Sequence, residues 1–504
     1  MNDKVSINLL PTGVPGLDAL LGGGLPEFSF NLIAGNPGSG KTTLAQQIMF
    51  SLANSGRRAL FFTVLGEPPL KMLRYQQQFA FFDVAKVNES IRFVNLADDA
   101  LKGDFTRLLA RIVDEVETHS PALVFVDSFR SVDLATERVR GGPAGLQELV
   151  QRLAMHLTSW QATTFLVGEY PESEMETTPV FTVADGLIWL AQSVHWNSMV
   201  RKMQVMKMRG QAQIPGLHTF RITDKGIHVF PRAIIDAGGA SQPPGDVRMT
   251  MGVPRLDEML GGGLPAGFSL LVAGPTGSGK TILASAFLTE GARRGETGVI
   301  AAFEKSPKQT RSRTLEDLIH KGQLSVIDTR ALDLSIDETL YELTETIRRT
   351  NAKRVVIDSL SGFELALAPT FREDFRESLY RMVTVLTGMG VAVLMTSELE
   401  DRYSDLRFSP YGAAFLTDAI IVQRYIEVRS RLRRVIAVVK IRGSFHSNEL
   451  REFEITDEGI VIGDVLADYE GLLGGRPTAR ATLPDALDGT PSALRVESGA
   501  SERA

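Results

Sequence analysis

The chain has 504 residues, a formal net charge of −6, 43% hydrophobic and 23% charged residues, and no cysteine. That composition excludes a largely disordered chain, a disulfide framework, a zinc–thiolate site and a cysteine nucleophile. The acidic balance counts against a generic nucleic-acid binder, which usually carries a basic excess, without excluding one.

Met1 to Leu10 holds one lysine and no long apolar run, so it does not read as a secretory signal. No stretch approaches the roughly 18 to 20 apolar residues of a membrane helix, and the expected location is the cytoplasm. The seven histidines are scattered, with no two three or four apart, so a His-built metal site is not expected.

Gly13 to Pro26 reads GVPGLDALLGGGLP and returns at Gly252 to Pro265 as GVPRLDEMLGGGLP. Eleven of the fourteen positions are identical at an offset of 239, which indicates duplication of a whole domain. The predicted units are a first domain over 1–235, a linker over 236–247 (Asp236 to Asp246 reads DAGGASQPPGD), a second domain over 248–473 and an unstructured tail over 474–504.

In the first unit, Phe30 to Ala34 is a short apolar run that enters a glycine-rich loop, and Thr42 to Leu52 has helical spacing. Ala59 to Val64, Leu123 to Val126 and Thr164 to Val167 are further buried runs. The second unit repeats this at Ser269 to Ala273, Val299 to Phe303, Arg354 to Ile357 and Val391 to Met395, and strand-like runs such as Val435 to Ile441 close it. The pattern predicts an α/β fold, a mostly parallel sheet flanked by helices, twice.

Gly35-Asn36-Pro37-Gly38-Ser39-Gly40-Lys41-Thr42 and Gly274-Pro275-Thr276-Gly277-Ser278-Gly279-Lys280-Thr281 both fit G-x-x-x-x-G-K-[ST]. Such a loop turns backbone N–H groups onto phosphate oxygens and points the start of a helix at the same anion. Lys41 and Lys280 are expected on the β- and γ-phosphates of ATP, Thr42 and Thr281 on Mg²⁺, with Thr43 and Ile282 completing the nucleotide-binding segments. Asp127 and Asp358 each end an apolar strand and are the expected carboxylates for Mg²⁺. Ser128 and Ser359 follow, in the metal shell or in a plain turn. A carboxylate must also orient the attacking water. Glu304 ends the run Val299 to Phe303 and is the candidate in the second half, for catalysis and as a metal neighbour. Leu65 and Gly66 occupy the positions of Glu304 and Lys305 in the first half, where Glu67 is a displaced candidate.

With the doubled phosphate loop and the GVPxLDxxLGGGLP lead-in, a late K-x-R-G motif resembles the KaiC circadian clock family of the RecA/DnaB-type ATPase superfamily. The resemblance covers roughly residues 5 to 465. It implies two tandem RecA-like P-loop ATPase domains and a homohexamer with ATP between subunits. It also implies that Lys207 and Arg209, and Lys440 and Arg442, reach a neighbour's nucleotide, with Ser444 and His446 as further contacts. Gln211 and Gln213 stand at the last two places in the first half. The family's phosphorylated Ser-Thr pair falls on Ala414 and Phe415, which have no hydroxyl. Ser409 and Thr417 remain as possible acceptors in a Ser/Thr autokinase reaction.

The leading expectation is therefore a hexameric ATP-hydrolysing signalling switch with an unknown protein partner and no membrane. The alternatives are a DNA-handling motor, for which Arg429 to Arg434 (RSRLRR) is the best basic candidate, and a nucleotide-dependent scaffold with negligible turnover.

Overall fold

The computed structural model describes residues 7–471 and 478–479, except 65–68, 98, 100–104, 132–149, 157–158, 196–197, 233–246, 304–312, 329–333, 368, 373–374, 400–415 and 468. The chain folds into two nine-stranded, mostly parallel sheets of identical strand order, as the alternating apolar runs predict.

In the first half the strands are β1 (Phe30–Gly35), β2 (Ala59–Thr63), β3 (Ile91–Asn95), β4 (Leu123–Asp127), β5 (Thr163–Glu169), β6 (Gly186–His195), β7 (Ser198–Met208), β8 (His218–Thr223) and β9 (Gly226–Phe230). Their order across the sheet is β9-β8-β7-β6-β1-β5-β4-β2-β3. β3, β2, β4, β5, β1 and β6 run parallel, while β6 to β9 form an antiparallel extension. The second half repeats this with β10 (Ser269–Gly274), β11 (Gly298–Ala302), β12 (Leu324–Asp328), β13 (Arg354–Asp358), β14 (Ala392–Glu398), β15 (Ala419–Val428), β16 (Arg431–Ile441), β17 (Arg451–Thr456) and β18 (Gly459–Val465).

The central strands are mostly apolar and almost wholly buried because both faces are covered. On β1, Ile33 belongs to one core cluster while Leu32 and Ala34 belong to the other. Leu271 and Leu270 divide in the same way on β10. Each such fully buried aliphatic side chain contributes about 1.5–3 kcal/mol. Helix α1 (Lys41–Leu52) follows β1 and helix α2 (Lys280–Arg293) follows β10. The lead-in motif is structural. Leu9–Leu10 pairs with Leu25–Pro26 around a short helix Leu17–Leu21, and Asp18 accepts hydrogen bonds from the backbone N–H and hydroxyl of Thr12.

The two halves touch. Helix α3 (Ile336–Thr350) begins at Ser335, whose hydroxyl caps it by accepting from the Glu338 N–H at 3.1 Å. Its first turn meets the antiparallel extension of the first sheet. Tyr341 stands edge-on to His228 and Phe230, at 5.0 and 5.7 Å between ring centroids. Arg221 on β8 bonds Glu338, and Arg232 bonds Glu377 at 2.7 Å. The expected linker falls almost wholly on residues outside those described. Thr478–Ala479, within the segment expected to be unstructured, pairs with Tyr469–Glu470, because backbone pairing needs no apolar pattern. Among the described residues, no helix is long and apolar enough to cross a membrane.

Candidate nucleotide sites

Each glycine-rich loop joins the end of the central strand to a helix. Gly40 and Gly279 sit just before α1 and α2 at φ 102° and 104°. A Cβ on Gly40 would come within 2.7 Å of Ile222 Cδ1, and one on Gly279 within 2.9 Å of Ile455 Cδ1. The backbone sign demands glycine there, and the isoleucine tip would have to shift to admit a Cβ. The helix starts then direct their free N–H groups into the loop, where an anion is stabilised.

Beside the first loop lies a cavity of about 430 Å³, lined by Gly38, Lys41, Thr42, Thr43, Asp127, Ser128, Glu169 and Ile222. Thr42 donates to Asp127 at 2.7 Å, and Thr281 donates to Asp358 at 2.9 Å. One carboxylate and one hydroxyl therefore converge beside each phosphate cradle. Mg²⁺ takes few protein ligands and completes its shell with phosphate and water, so this donor set fits it. Among the described residues no group of three or more acidic or histidine side chains could hold a metal by itself. Asp358 has a second partner in Thr396.

Lys41 is nearly buried and donates to the Asn36 carbonyl at 2.7 Å. Burial holds its amine below the ordinary lysine range, against the raising pull of Glu169 and Asp127. Lys280 donates to the Gly274 and Pro275 carbonyls at 2.8 Å. The second loop is also tied from within: Ser278 donates to Gln423 at 3.0 Å. Its counterpart Ser39 is buried, and its hydroxyl has no hydrogen-bond partner among the described residues, since β6 carries Leu190 where β15 carries Gln423.

The K-x-R-G residues sit elsewhere. Lys207 donates to the Thr182 carbonyl at 3.0 Å and Arg209 bonds Asp185 at 2.9 Å. Lys440 donates to the Thr417 carbonyl at 2.6 Å and Arg442 approaches Asp418 at 3.4 Å. Burial, then the neighbouring arginine, lowers the pKa of both lysines. A β-bulge precedes each basic pair, between Leu187 and Ile188 opposite Lys207 and between Ile420 and Ile421 opposite Lys440. Asp185 accepts from the Phe30 N–H at the start of β1. The loop leaves the other end of that strand, about 16 Å away. The basic pair of one half therefore lies remote from the phosphate loop of the same half.

The structure separates the other candidates. Glu67, Glu304 and Ser409 lie outside the described residues. Thr417 is fully buried. Ser359 accepts from the Gly362 N–H and caps the short helix Leu360–Ala366, which is the turn role. Ser444 accepts from Arg248 at 2.6 Å, and Arg248 also donates to the Leu260 and Gly263 carbonyls of the lead-in turn. In the first half Gln211 itself donates to the matching Leu21 and Gly24 carbonyls, at 2.6 and 2.8 Å. His446 follows on the same segment, half-buried.

Sequence reasoning passed over Glu169 and Glu398. Each ends the strand beside the central one, in register with the first glycine of its loop, as Gly35 with Glu169 and Gly274 with Glu398. The signal lay in the repeat: both copies end an apolar run with glutamate, 229 residues apart.

Comparison with known proteins agrees with this architecture. The family model described as ATPase: KaiC matches residues 10–234 and again 249–466. The circadian clock oscillator protein KaiC of Picosynechococcus sp. is 28% identical over 485 residues, covering 94% of this chain and 93% of that protein. The circadian clock protein KaiC3 of Synechocystis sp. is 29% identical over 491 residues, covering 94% and 95%. With two matched copies that together span most of its length, this chain belongs to the KaiC family of ATPases.

Proposed function

We propose that the protein is an ATP-binding and ATP-hydrolysing signalling switch that works as a homohexamer, with ATP and Mg²⁺ held between neighbouring subunits. The observation that carries this reading is the separation of parts. Lys41 and Lys280 stand at one end of their central strands, while the basic pairs of the same halves are anchored near the other. For the basic pair to add a second cation beside the loop lysine, it would have to act on the nucleotide of another subunit, as an arginine finger supplied in trans does. Surface properties agree. An open groove of about 820 Å³ in the first half is bordered by Met206 and Leu217, both exposed apolar side chains. An association surface has this character.

In this reading Lys41 and Lys280 bind the phosphates, Thr42, Thr281, Asp127 and Asp358 hold Mg²⁺, and Glu304 orients water in the second half. Bound Mg²⁺ would neutralise the phosphate oxygens. The arginine-rich run favours this reading over a DNA motor. Arg433 bonds Glu452 at 3.0 Å and Arg434 stacks on Tyr425, so both are engaged within the sheet. Self-phosphorylation in the second half is the finer proposal. The burial of Thr417 directs it to Ser409.

The test incubates purified protein with γ-labelled ATP, follows free phosphate and labelled protein together, and measures mass by sedimentation with and without nucleotide. The expected result is free phosphate and a nucleotide-dependent hexamer. A monomer that releases no phosphate would overturn the reading. Stable label mapped to Ser409 would establish the kinase reaction, and label absent from the protein would remove it.

A further inference from the structure

We propose that Glu169 is the carboxylate that orients and deprotonates the attacking water in the first half. This rests on the hydrolytic reading above. The first half has Leu65 and Gly66 where the second has Glu304 and Lys305, and its displaced candidate Glu67 lies outside the described residues, so the base is sought among the carboxylates that line the cavity. Among the described residues, two carboxylates line the first cavity, Asp127 and Glu169. Asp127 is engaged with Thr42. Glu169 is the other.

Its position suits the task. Glu169 Oε1 lies 3.7 Å from Lys41 Nζ, and its side chain is 53% exposed, facing the cavity. A lysine ammonium lies about 2.8 Å from a phosphate oxygen that it binds. With the two acceptors about 109° apart on the tetrahedral ammonium, a phosphate oxygen on Lys41 would be about 5.3 Å from the carboxylate, a gap that one water bridges with two hydrogen bonds of about 2.8 Å. The partner strand keeps the carboxylate there, since β5 is paired with β1 along its whole length, ending at Gly35 and Glu169.

In the reaction the water oxygen forms a bond to the γ-phosphorus while the bond from that phosphorus to the β,γ-bridging oxygen breaks. The electron pair leaves on ADP. The water proton passes to Glu169 and from there to solvent. Lys41 serves both partners, because it fixes the phosphate and holds the carboxylate within one water of it.

The test uses the full chain with Glu304→Gln and Glu398→Gln, which leaves the first half with its own carboxylates. Phosphate release and binding of a fluorescent ATP analogue are compared with and without Glu169→Gln. The expected result is a fall in kcat of about 100-fold with nucleotide affinity kept within about twofold, the range of a lost general base. Glu169→Asp should restore part of the rate. An unchanged rate overturns the inference. So does tighter binding at an unchanged rate, which would mean that Glu169 only competes with phosphate for Lys41. Turnover in the natural sequence that vanishes with the two second-half substitutions alone also overturns it, because the first half would then be inert. Absence of phosphate release in the natural sequence is a separate result and rejects the hydrolytic reading itself.

Discussion

Arg221 in the first half grips Glu338 in the second, its Nη2 2.9 Å and its Nε 3.1 Å from the same carboxylate oxygen. The next residue along the strand, Ile222, lies against Gly40 of the first phosphate loop. Alternate residues of β8 thus face the other half and the nucleotide site.

Removing this grip should loosen the docking of the halves. Both side chains are less than one-third exposed, and the pair is charge-assisted. A double-mutant cycle of Arg221→Ala and Glu338→Ala, read by chemical denaturation, is expected to give a coupling of about 1–3 kcal/mol. A coupling near zero would show that Tyr341 and its aromatic neighbours hold the interface without the ion pair.

Arg354 is 1% exposed as a side chain, bonds Glu296 at 2.6 Å, and donates to the Thr250 and Phe287 carbonyls at 2.7 and 2.8 Å. Arg354→Ala should destabilise the second half by about 3 kcal/mol, since it strands Glu296 and two carbonyls. Calorimetry should show the second-half transition moving to lower temperature while the first stays. The first half has Leu123 at this place, and no movement in either transition would refute the assignment.

His218 accepts the Arg232 N–H on Nδ1 at 2.8 Å, and its Nε2 faces the Ile214 carbonyl at 3.2 Å. That arrangement requires a neutral ring with the proton on Nε2. Burial lowers the pKa, opposed by the Ile214 carbonyl. A lowered folded pKa gives stability that is present above the unfolded value, about 6.5, and is lost as pH falls through the folded value. Denaturation midpoints should therefore drop below about pH 6.5 in the natural sequence, and His218→Gln should flatten that limb. An identical pH dependence in both proteins would exclude His218 as its source.

Lys280→Ala should abolish nucleotide binding in the second half and weaken the hexamer. Equilibrium dialysis is expected to find one nucleotide per chain in place of two, and sedimentation a smaller species. Two nucleotides in an intact, nucleotide-independent hexamer would count against the proposed site and its place at a subunit boundary.

Much of this was legible in the sequence because it is local. The strand–glycine loop–helix run around Lys41 is contiguous, and Leu123 to Asp127 advertises its own burial. Strand β3 was missed because it is an edge strand, with only Ile91 and Val94 of its five residues buried. Glu169 was missed because its meaning depends on sheet order. The strand it ends lies beside β1 in space but more than a hundred residues away in the chain. The contact of Arg221 with Glu338 has no periodic signature, since it arises when two finished domains meet.

The lead-in turns are fastened from opposite sides in the two halves. Gln211 reaches inward from the closing segment of the first, whereas Arg248 reaches outward from the entry strand of the second and takes Ser444 as its support. Leu9 stands where Arg248 does, and Ser444 where Gln211 does. Neither segment can be transplanted alone. Serine in place of Gln211, with Leu9 opposite, would leave the Leu21 and Gly24 carbonyls without a donor. Glutamine in place of Ser444 would crowd Arg248. The duplicated domains have thus ceased to be interchangeable parts, and a working chimera between them must exchange entry strand and closing segment together.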